Sequence, residues 1–284
     1  MIVVTGATGG LGGATVEHLL KRVPADQIGV SVRDVAKARP FADRGVRVRH
    51  GSYQDPAALR DSFEGAEQVL LVSGNDPTAD MVSLHRNAIE AAVTAGARRI
   101  LYTSLHAAIP GNPYPPSEVH IATEAILAES GLAWTALRNG AYGTLEQVLG
   151  PWQQTAVIAQ PEDGPVPYTD RAEVAEATAV ILAGDRTFDG PVTLTSPTAV
   201  TFEDVAKIAS DLTGRTIKRV VLDDEQWVAD QIAIGVPEQV ARLMLTFYQA
   251  SRAGYFAEAS PLLTELLGRE PSSVADRLAT HLTA

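Results

Sequence analysis

A glycine-rich segment near the start of the chain has the spacing of a phosphate-binding turn. Gly6, Gly9 and Gly12 follow the apolar run of residues 2–5 and open a helical pattern. The first glycine allows a tight turn, the second lets the backbone approach a pyrophosphate, and the third lets the helix pack closely on the strand. Unpaired N–H groups at the helix N-terminus then attract the phosphates. The pattern predicts a dinucleotide site; the alternative is a turn needed only for packing.

The end of the second predicted strand indicates which dinucleotide binds. An acidic residue at this position binds the ribose diol of NAD, whereas an arginine meets the 2′-phosphate of NADP. Here the strand ends at Arg33, and Lys37 follows one turn later. These cations favour NADP(H) and leave NAD(H) as the alternative. Asp34 either caps the next helix or reaches the diol, and a solvated arginine is the competing interpretation of Arg33.

Short β-branched runs alternate with amphipathic stretches in the first half of the chain, as in the βα units of a parallel sheet. Strands are predicted at residues 2–5, 28–32, 46–49, 68–72, 99–103 and 133–137. Helices are predicted between them at about residues 11–22, 55–65, 80–95 and 117–131. This order predicts an α/β fold with a doubly wound, parallel Rossmann sheet.

The pattern changes after about Asn139, where prolines interrupt the chain at positions 151, 161, 165 and 167. Helices are predicted at about residues 171–183, 202–213, 224–234, 237–251 and 272–282, with strand-like pieces at 192–195 and 220–222. We therefore predict a Rossmann domain at residues 1–145. Residues 146–284 are predicted to form a small, mostly helical C-terminal lobe that binds substrate and is partly interleaved with the sheet. Helix caps are predicted at Asp55, Asp170 and Asp223, and a capping box at Thr201 and Asp204.

Composition excludes several classes of protein. The formal net charge of −11 argues against a nucleic-acid partner and against attachment to an anionic membrane. The absence of cysteine excludes disulfides, thiolate metal sites and thiol nucleophiles. No apolar run approaches the ~20 residues of a membrane span, and the first residues lack the pattern of a signal peptide. We expect a cytoplasmic protein without a metal site, monomeric or homodimeric, that acts on a small molecule.

Five segments together resemble one family. They are residues 1–12, Val32-Arg33-Asp34, Tyr102-Thr103-Ser104-Leu105, residues 118–124 and Leu137-Arg138-Asn139-Gly140-Ala141-Tyr142. In these segments the chain resembles the NmrA-like group of atypical short-chain dehydrogenases, and most of all its bacterial quinone reductases. The resemblance extends over nearly the whole chain and is densest before about residue 145. One departure is Gly51-Ser52, where an acidic second residue near adenine is usual.

The resemblance implies a role for particular residues that follow the predicted strands. It places the pyrophosphate on the glycine turn at Gly6, Thr8, Gly9, Gly10 and Leu11, and the 2′-phosphate at Arg33. Ser73 and Gly74 are implied on the adenosine and ribose side, and Thr103 and Ser104 near the nicotinamide ribose. Asn139, Gly140 and Tyr142 are implied at the border between nicotinamide and substrate.

The acid of ordinary short-chain dehydrogenases is missing. They use a Tyr-x-x-x-Lys pair, and no tyrosine here has a lysine four residues later. The corresponding helix carries His120 and Glu124 on one face.

With His120, Asn139 and Tyr142 as candidate catalytic residues, three interpretations remain open. The first is hydride transfer to a quinone or related flat aromatic carbonyl compound, which needs little acid catalysis because the product is aromatic. In the second, His120 is the proton donor, supported by Glu124 or the cofactor ribose. In the third, the protein senses the nucleotide without turnover.

Other polar and aromatic residues have competing interpretations. His120 is alternatively a surface histidine paired with Glu124, and His106 belongs either to a lid near the substrate or to an ordinary loop. His85 is assigned no role. Tyr142, Trp152 and Tyr168 are candidates for an aromatic substrate wall, whereas core packing is favoured for most of the aromatic residues, Trp227, Phe247 and Tyr248 included. A tailoring oxidoreductase acting on a polycyclic aromatic quinone is an alternative enzyme that the same residues would serve.

Overall fold

A parallel β-sheet of seven strands forms the centre of the part of the protein that the computed structural model describes, which is residues 1–74, 76, 78–142 and 145–283. The strands, including two outside this sheet, are β1 (Ile2–Thr5), β2 (Ile28–Val32), β3 (Arg47–His50), β4 (Gln68–Leu71), β5 (Arg99–Leu105), β6 (Ala133–Asn139), β7 (Val157–Pro161), β8 (Gly190–Leu194) and β9 (Lys218–Leu222). Their order in the main sheet is β3-β2-β1-β4-β5-β6-β8. The chain therefore reverses direction across the sheet between β1 and β4, and the predicted doubly wound topology is confirmed. Such a reversal opens a crevice at the carboxyl ends of the strands.

Helices cover both faces of the sheet. They are α1 (Gly10–Leu19), α2 (Arg39–Ala42), α3 (Pro56–Ser62), α4 (Met81–Thr94), α5 (Pro116–Glu129), α6 (Leu145–Val148), α7 (Trp152–Thr155), α8 (Arg171–Ala183), α9 (Phe202–Thr213), α10 (Asp224–Ala233), α11 (Glu238–Arg252), α12 (Leu262–Leu267) and α13 (Val274–Thr283). Alternate residues of β1 belong to different cores: Val4 packs with Leu19 of α1, whereas Val3 packs with Ile89 of α4. The period of two along each strand thus supplies an apolar layer to each face.

The two strands that carry the nicotinamide-side residues are longer than predicted. β5 extends to Leu105 and β6 to Asn139, two residues beyond the predicted ends. The extension is stabilised by pairing, because Leu105 lies opposite Asn139, which in turn lies opposite Leu194 of β8. Ser104 and Asn139 are therefore held inside strands, where their positions are more rigid than in a loop.

The second half of the chain contributes one strand to the main sheet and forms a core of its own. β8 pairs with β6 in parallel, whereas β7, which the sequence did not predict, pairs with β9 in a separate sheet. Trp227, Tyr248 and Phe202 are fully buried in this second core. The division into two domains at residue 145 remains a prediction. No described helix has the length and apolar character needed to cross a membrane.

The predicted helix caps are confirmed. Asp55 accepts a hydrogen bond from the amide of Ala58 (3.0 Å), Asp170 accepts from two amides of α8, and Asp223 accepts from two amides of α10. Thr201 and Asp204 form the capping box at the start of α9. These carboxylates accept hydrogen bonds from backbone N–H groups at the helix N-termini, and they therefore have a structural role.

Candidate active site

The glycine turn forms an open cradle at the N-terminus of α1. Gly6 has a φ of +60°, which a side chain would strain, and its carbonyl accepts the Gly9 amide at 2.9 Å. A Cβ on Gly12 would lie 2.5 Å from the Gly6 oxygen, so only glycine allows the helix this close to the strand. Gly6, Thr8, Gly9 and Gly10 are exposed, whereas the side chain of Leu11 is buried. The turn has the shape predicted for phosphate binding.

Two residues that the sequence analysis did not assign lie against this turn. The hydroxyl of Tyr53 is 2.6 Å from both Thr5 Oγ1 and the Val72 carbonyl, and so ties β1 to the segment after β4. Arg171 lies on the open side, where its Nη1 would be 3.1 Å from a Cβ on Gly10. Its guanidinium also stacks over Tyr142 at 5.4 Å. Arg171 thus places a cation between the glycine turn and the substrate side.

Arg33 extends into solvent at the end of β2. It is exposed and has no hydrogen-bond or ion-pair partner among the described residues, and the same is true of Lys37. Asp34 accepts the amide of Ala36 at 3.0 Å and caps a short 3₁₀ helix. Of its two interpretations, the cap is therefore confirmed. The arrangement leaves two unpaired cations where a 2′-phosphate would lie.

Several predicted ligand residues use their polar groups internally. Thr103 is buried, and its hydroxyl accepts the Ser73 amide at 2.8 Å. The Gly74 amide donates to Nε2 of His85 at 3.2 Å. Thr103 and Gly74 therefore shape the edge of the sheet, whereas Ser73 and Ser104 line the cavity beyond it.

A partly buried ion pair, in which the Glu124 carboxylate is buried and Arg138 is 24% exposed, fixes Ser104. Arg138 makes two hydrogen bonds to the Glu124 carboxylate, at 3.0 and 2.7 Å, and Ser104 donates to the same carboxylate at 2.6 Å. Of the alternatives for His120, the pairing with Glu124 does not form, because β6 brings Arg138 to the carboxylate and His120 turns to the Tyr102 hydroxyl. Sequence spacing alone places both residues on one helical face but does not say what faces them.

A cavity of about 300 Å³ lies at the carboxyl ends of β4, β5 and β6. The sheet and α5 contribute its polar side chains, which are Ser73, Ser104, His120, Asn139 and Tyr142. The helical part contributes an apolar wall that includes Tyr168, Met244, Phe247, Tyr248 and Phe256. Tyr142 and Tyr168 line the cavity as predicted, whereas Trp152 does not and belongs to the core. Phe247 and Tyr248 both pack in the core and face the cavity, so the prediction of packing alone was incomplete.

Asn139 carries an unpaired amide at the floor of this cavity. Its side chain is 2% exposed, and in the described part of the chain neither Oδ1 nor Nδ2 has a hydrogen-bond partner of good geometry, although the Tyr142 hydroxyl lies close enough to interact with the amide. A buried amide left unpaired costs about 1–3 kcal/mol, so such groups are retained where a ligand completes them. Asn139 offers an NH₂ donor group and a carbonyl acceptor, the complement of a carboxamide.

One tyrosine and one histidine at the cavity, Tyr142 and His120, are electrically neutral. Burial raises the pKa of the Tyr142 hydroxyl, so this phenol keeps its proton. Burial, reinforced by nearby His85, lowers the pKa of His120 to about 3. The imidazole of His120 is therefore uncharged near neutral pH and can donate a hydrogen bond but is a poor source of a proton. Its Nδ1 lies 2.7 Å from the Tyr102 hydroxyl.

His106 does not form a lid. It follows β5 in a loop, but its ring is buried against Phe256, and neither ring nitrogen has a partner in the described ranges. His106 is absent from the cavity wall.

A second cavity, of about 240 Å³, lies at the opposite, amino-terminal edge of the sheet beside Gln68 and Arg99. Arg99 is paired there with Asp189. The chemistry is therefore concentrated at the carboxyl edge.

Acid should destabilise the fold through His85. Burial lowers the pKa of this ring to about 4 from its ordinary 6.5. Between these values the unfolded chain binds a proton that the folded chain does not, so stability is retained above 6.5 and falls by up to about 1.4 kcal/mol per pH unit toward 4. Urea unfolding at several pH values measures this slope. His120, whose pKa is also lowered by burial, adds a slope of the same sign, so His85→Gln should make the slope shallower without removing it. The exposed His50→Gln should not make it shallower; equal slopes in all three proteins would contradict the assignment.

The fold and the cradle define the Rossmann class of dinucleotide-binding proteins. Within this class the chain belongs to the NmrA-like family, whose sequence profile matches residues 1–275. It is 34% identical over 287 residues to quinone oxidoreductase 2 of Escherichia coli, covering 99% of this chain and 98% of that protein.

Solved structures agree with the family assignment. The NADPH-dependent quinone oxidoreductase of Escherichia coli, complexed with NADPH, superposes with a TM-score of 0.91 at 32% identity, with both chains covered completely. Triphenylmethane reductase of Citrobacter sp., complexed with NADP(H), superposes with a TM-score of 0.89 at 33% identity, over 98% of this chain and 100% of that chain. The predicted family and fold are thus confirmed.

Proposed function

We propose that this protein is an NADPH-dependent oxidoreductase that reduces quinones or related flat aromatic carbonyl compounds. The observation that carries the proposal is the unpaired amide of Asn139, buried at the floor of an aromatic-walled cavity on the same sheet edge as the glycine cradle. The relatives at 32–34% identity, which are named as quinone oxidoreductases or bind NADP(H), support the same class of reaction.

The residues present fit the pyrophosphate, the 2′-phosphate and the nicotinamide half of the dinucleotide. The exposed amides of the glycine turn would hold the pyrophosphate, with Arg171 as an additional cation beside Gly10. Arg33 and Lys37 would meet the 2′-phosphate. Asn139 would pair with the nicotinamide carboxamide, and Ser73 and Ser104 would border the adjoining ribose. NADPH bound in this way supplies a hydride at the edge of the cavity.

The cavity walls suit a flat, uncharged ring system. Phe247 and Phe256 lie 4.7 Å apart between ring centroids, and Tyr114 contacts both. Such aromatic surfaces bind another ring through area and stacking without needing a charged anchor. The walls thus hold the substrate in a fixed orientation, which is the main requirement for a direct hydride transfer.

The proposed reaction needs no Tyr-Lys acid. The substrate gains two electrons and one hydrogen as hydride, and the negative charge that this leaves on a carbonyl oxygen is taken up by one proton from water. Because the product of a quinone is an aromatic hydroquinone, the oxygen needs a hydrogen-bond donor more than a strong acid. Neutral His120 and the Tyr142 phenol are two hydrogen-bond donors that line the cavity.

Turnover tests the proposal directly. Purified protein mixed with NADPH and a panel of one-, two- and three-ring quinones should consume NADPH in proportion to the hydroquinone formed. Binding of NADP(H) without oxidation across the whole panel would reject the enzyme and leave the nucleotide sensor. A preference confined to three-ring quinones would favour a tailoring enzyme of polycyclic compounds.

Asn139→Leu should separate the effect of this amide on the stability of the fold from its effect on the binding of NADPH. The free energy of unfolding of the ligand-free protein should rise or stay unchanged, because a buried unpaired amide is replaced by an apolar group of similar size. The affinity for NADPH should fall about 10- to 100-fold, because the carboxamide loses its partner. Urea unfolding and a fluorescence titration with NADPH measure the two effects.

Asn112 offers a matched control. It is also buried, but its amide is satisfied, donating to the Ala107 carbonyl at 2.8 Å and accepting the Tyr114 amide at 2.9 Å. Asn112→Leu should therefore lower the free energy of unfolding by about 1–3 kcal/mol. An equal loss of stability in the two variants would show that Asn139 is not held unpaired for a ligand.

A further inference from the structure

Two buried groups outside the proposed reaction, His85 and Tyr102, form a hydrogen-bonded chain that ends at His120. All three come from the layer of β5, α4 and α5. His85 Nε2 is 3.2 Å from the Gly74 amide nitrogen, and its Nδ1 is 3.0 Å from the Thr123 hydroxyl. The Tyr102 hydroxyl is 3.4 Å from His85 Nδ1 and 2.7 Å from His120 Nδ1. The direction of each hydrogen bond can be deduced in turn.

The tautomer of His85 is fixed by a backbone group. An amide N–H can only donate, so Nε2 of His85 must present its lone pair to Gly74. The proton of the neutral ring is then on Nδ1, and this N–H donates to the Thr123 hydroxyl. Thr123 can accept it, because its own hydrogen is directed to the Val119 carbonyl at 2.8 Å. His85 therefore has no lone pair left for Tyr102.

The hydroxyl of Tyr102 must consequently donate to His120. Tyr102 is fully buried, and its hydroxyl has Nδ1 of His85, Nδ1 of His120 and the Thr123 hydroxyl beside it. The nitrogen of His85 is already protonated and the Thr123 oxygen already accepts from it, so Nδ1 of His120, in the shorter of the two ring contacts at 2.7 Å, is the acceptor. A neutral His120 that accepts at Nδ1 carries its proton at Nε2.

We infer that His85 and Tyr102 are positioning residues that hold His120 in the tautomer whose Nε2–H is free to donate into the cavity. His120 lines the cavity, and in the described part of the chain Nε2 has no hydrogen-bond partner. The inference rests on the proposed function in one respect, that a carbonyl oxygen of the substrate is the acceptor. Without the hydrogen bonds from His85 and Tyr102, either ring nitrogen of His120 would carry the proton.

The chain orients His120 but does not supply protons. It ends at the amide of Gly74 and the carbonyl of Val119, and neither group releases a proton near neutral pH. If His120 gave up its Nε2 proton and took one from Tyr102, the phenol could not be replenished from within the chain. His120 therefore keeps its proton while the charge on the substrate oxygen develops, and water provides the proton that completes the product.

NMR of the protein labelled with ¹⁵N-histidine tests the inference without any assumption about the substrate. The ring signals of His120 are assigned by their loss in His120→Gln. In the wild-type protein near neutral pH, Nε2 should have the shift of a protonated ring nitrogen and Nδ1 that of an unprotonated one. A proton on Nδ1 would overturn the inference. The shifts that decide the tautomer are read in the wild-type protein, and His120→Gln serves only to assign them.

Tyr102→Phe supplies the second measurement. Loss of the hydroxyl should move both His120 ring shifts toward a mixture of tautomers and lower kcat for quinone reduction about 10-fold, with KM changed less than twofold. Tyr255→Phe removes a hydroxyl that donates to the Gly111 carbonyl at 2.8 Å, and should change neither the shifts nor kcat. Unchanged His120 shifts in Tyr102→Phe would contradict the positioning role.

The two proposals fail separately. If no quinone is reduced, the proposed function is wrong, and the ring shifts still decide the tautomer of His120. If quinones are reduced and Nδ1 of His120 proves to be protonated, the function stands and the positioning role of His85 and Tyr102 is rejected.

Discussion

Arg33→Ala should weaken the affinity for NADPH at least about 100-fold and change the affinity for NADH less than about threefold. The two coenzymes differ only in the 2′-phosphate, and a guanidinium can make two charge-assisted hydrogen bonds to it, each contributing about 1.5–3 kcal/mol. Arg33 is exposed and has no hydrogen-bond or ion-pair partner among the described residues, so its replacement breaks no such contact in the fold. Titration calorimetry with each coenzyme measures the ratio.

Arg171→Ala is the matched control for this ratio. Arg171 lies beside Gly10, where the pyrophosphate common to both coenzymes is expected, so its loss should weaken NADPH and NADH equally, by about 10-fold. Lys37→Ala should act in the same direction as Arg33→Ala but less, since an ammonium makes no bidentate contact. If Arg33→Ala weakened both coenzymes to the same degree, the recognition of the 2′-phosphate would have to be assigned elsewhere.

Arg138→Met should lower the free energy of unfolding by about 3–5 kcal/mol. The substitution leaves the Glu124 carboxylate, which is 9% exposed, without its bidentate partner. An uncompensated buried charge is far more costly than the pair itself is stabilising, because the desolvation of the carboxylate is no longer offset. Ser104, which donates to the same carboxylate, should also lose its orientation in the cavity. Urea unfolding of the ligand-free protein gives the difference.

Arg252→Met is the comparison for Arg138→Met. Arg252 also makes two hydrogen bonds to a carboxylate, that of Asp224, at 2.9 and 2.7 Å, but the two side chains are 31% and 25% exposed. Water can solvate the remaining Asp224, so this variant should lose no more than about 1 kcal/mol. In the double variant Glu124→Met/Arg138→Met most of the loss should be recovered, because no charge is left buried. Similar losses in Arg138→Met and Arg252→Met would refute the argument from burial.

The elements and their caps could be predicted because their signals are local. Glycine spacing from Gly6 to Gly12 predicts the cradle, and an aspartate before each of three helices predicts the caps, since a side chain and the amides it binds are two or three residues apart. The strand ends at Leu105 and Asn139 were missed for the opposite reason. They are extended by pairing with each other and with β8, a strand more than 50 residues later, and no local pattern reports such a partner.

The sequence predicted which residues line the candidate site better than it predicted which side chains those residues contact. Ser73, Ser104, His120, Asn139 and Tyr142 do meet at one cavity, because all follow or end neighbouring parallel strands or face them from α5. The sequence offered Glu124 as one possible partner of His120, and left His85 without a role. Both depend on which side chains of β5, β6 and α4 face α5, and spacing along one helix leaves this open.

The sequence by itself determined the glycine cradle, the cation at the end of β2, the lack of a Tyr-Lys acid and the alternation that gives a doubly wound sheet, since each is a property of neighbouring residues. Only the tertiary structure decided that Arg138 and Ser104 hold Glu124, that Asn139 is left unpaired, and that Tyr102 faces His120. It also decided that α11 and Phe256 close the cavity from the second half of the chain. Contacts between distant segments are set by sheet order and side-chain direction, and these exist only once the core has formed.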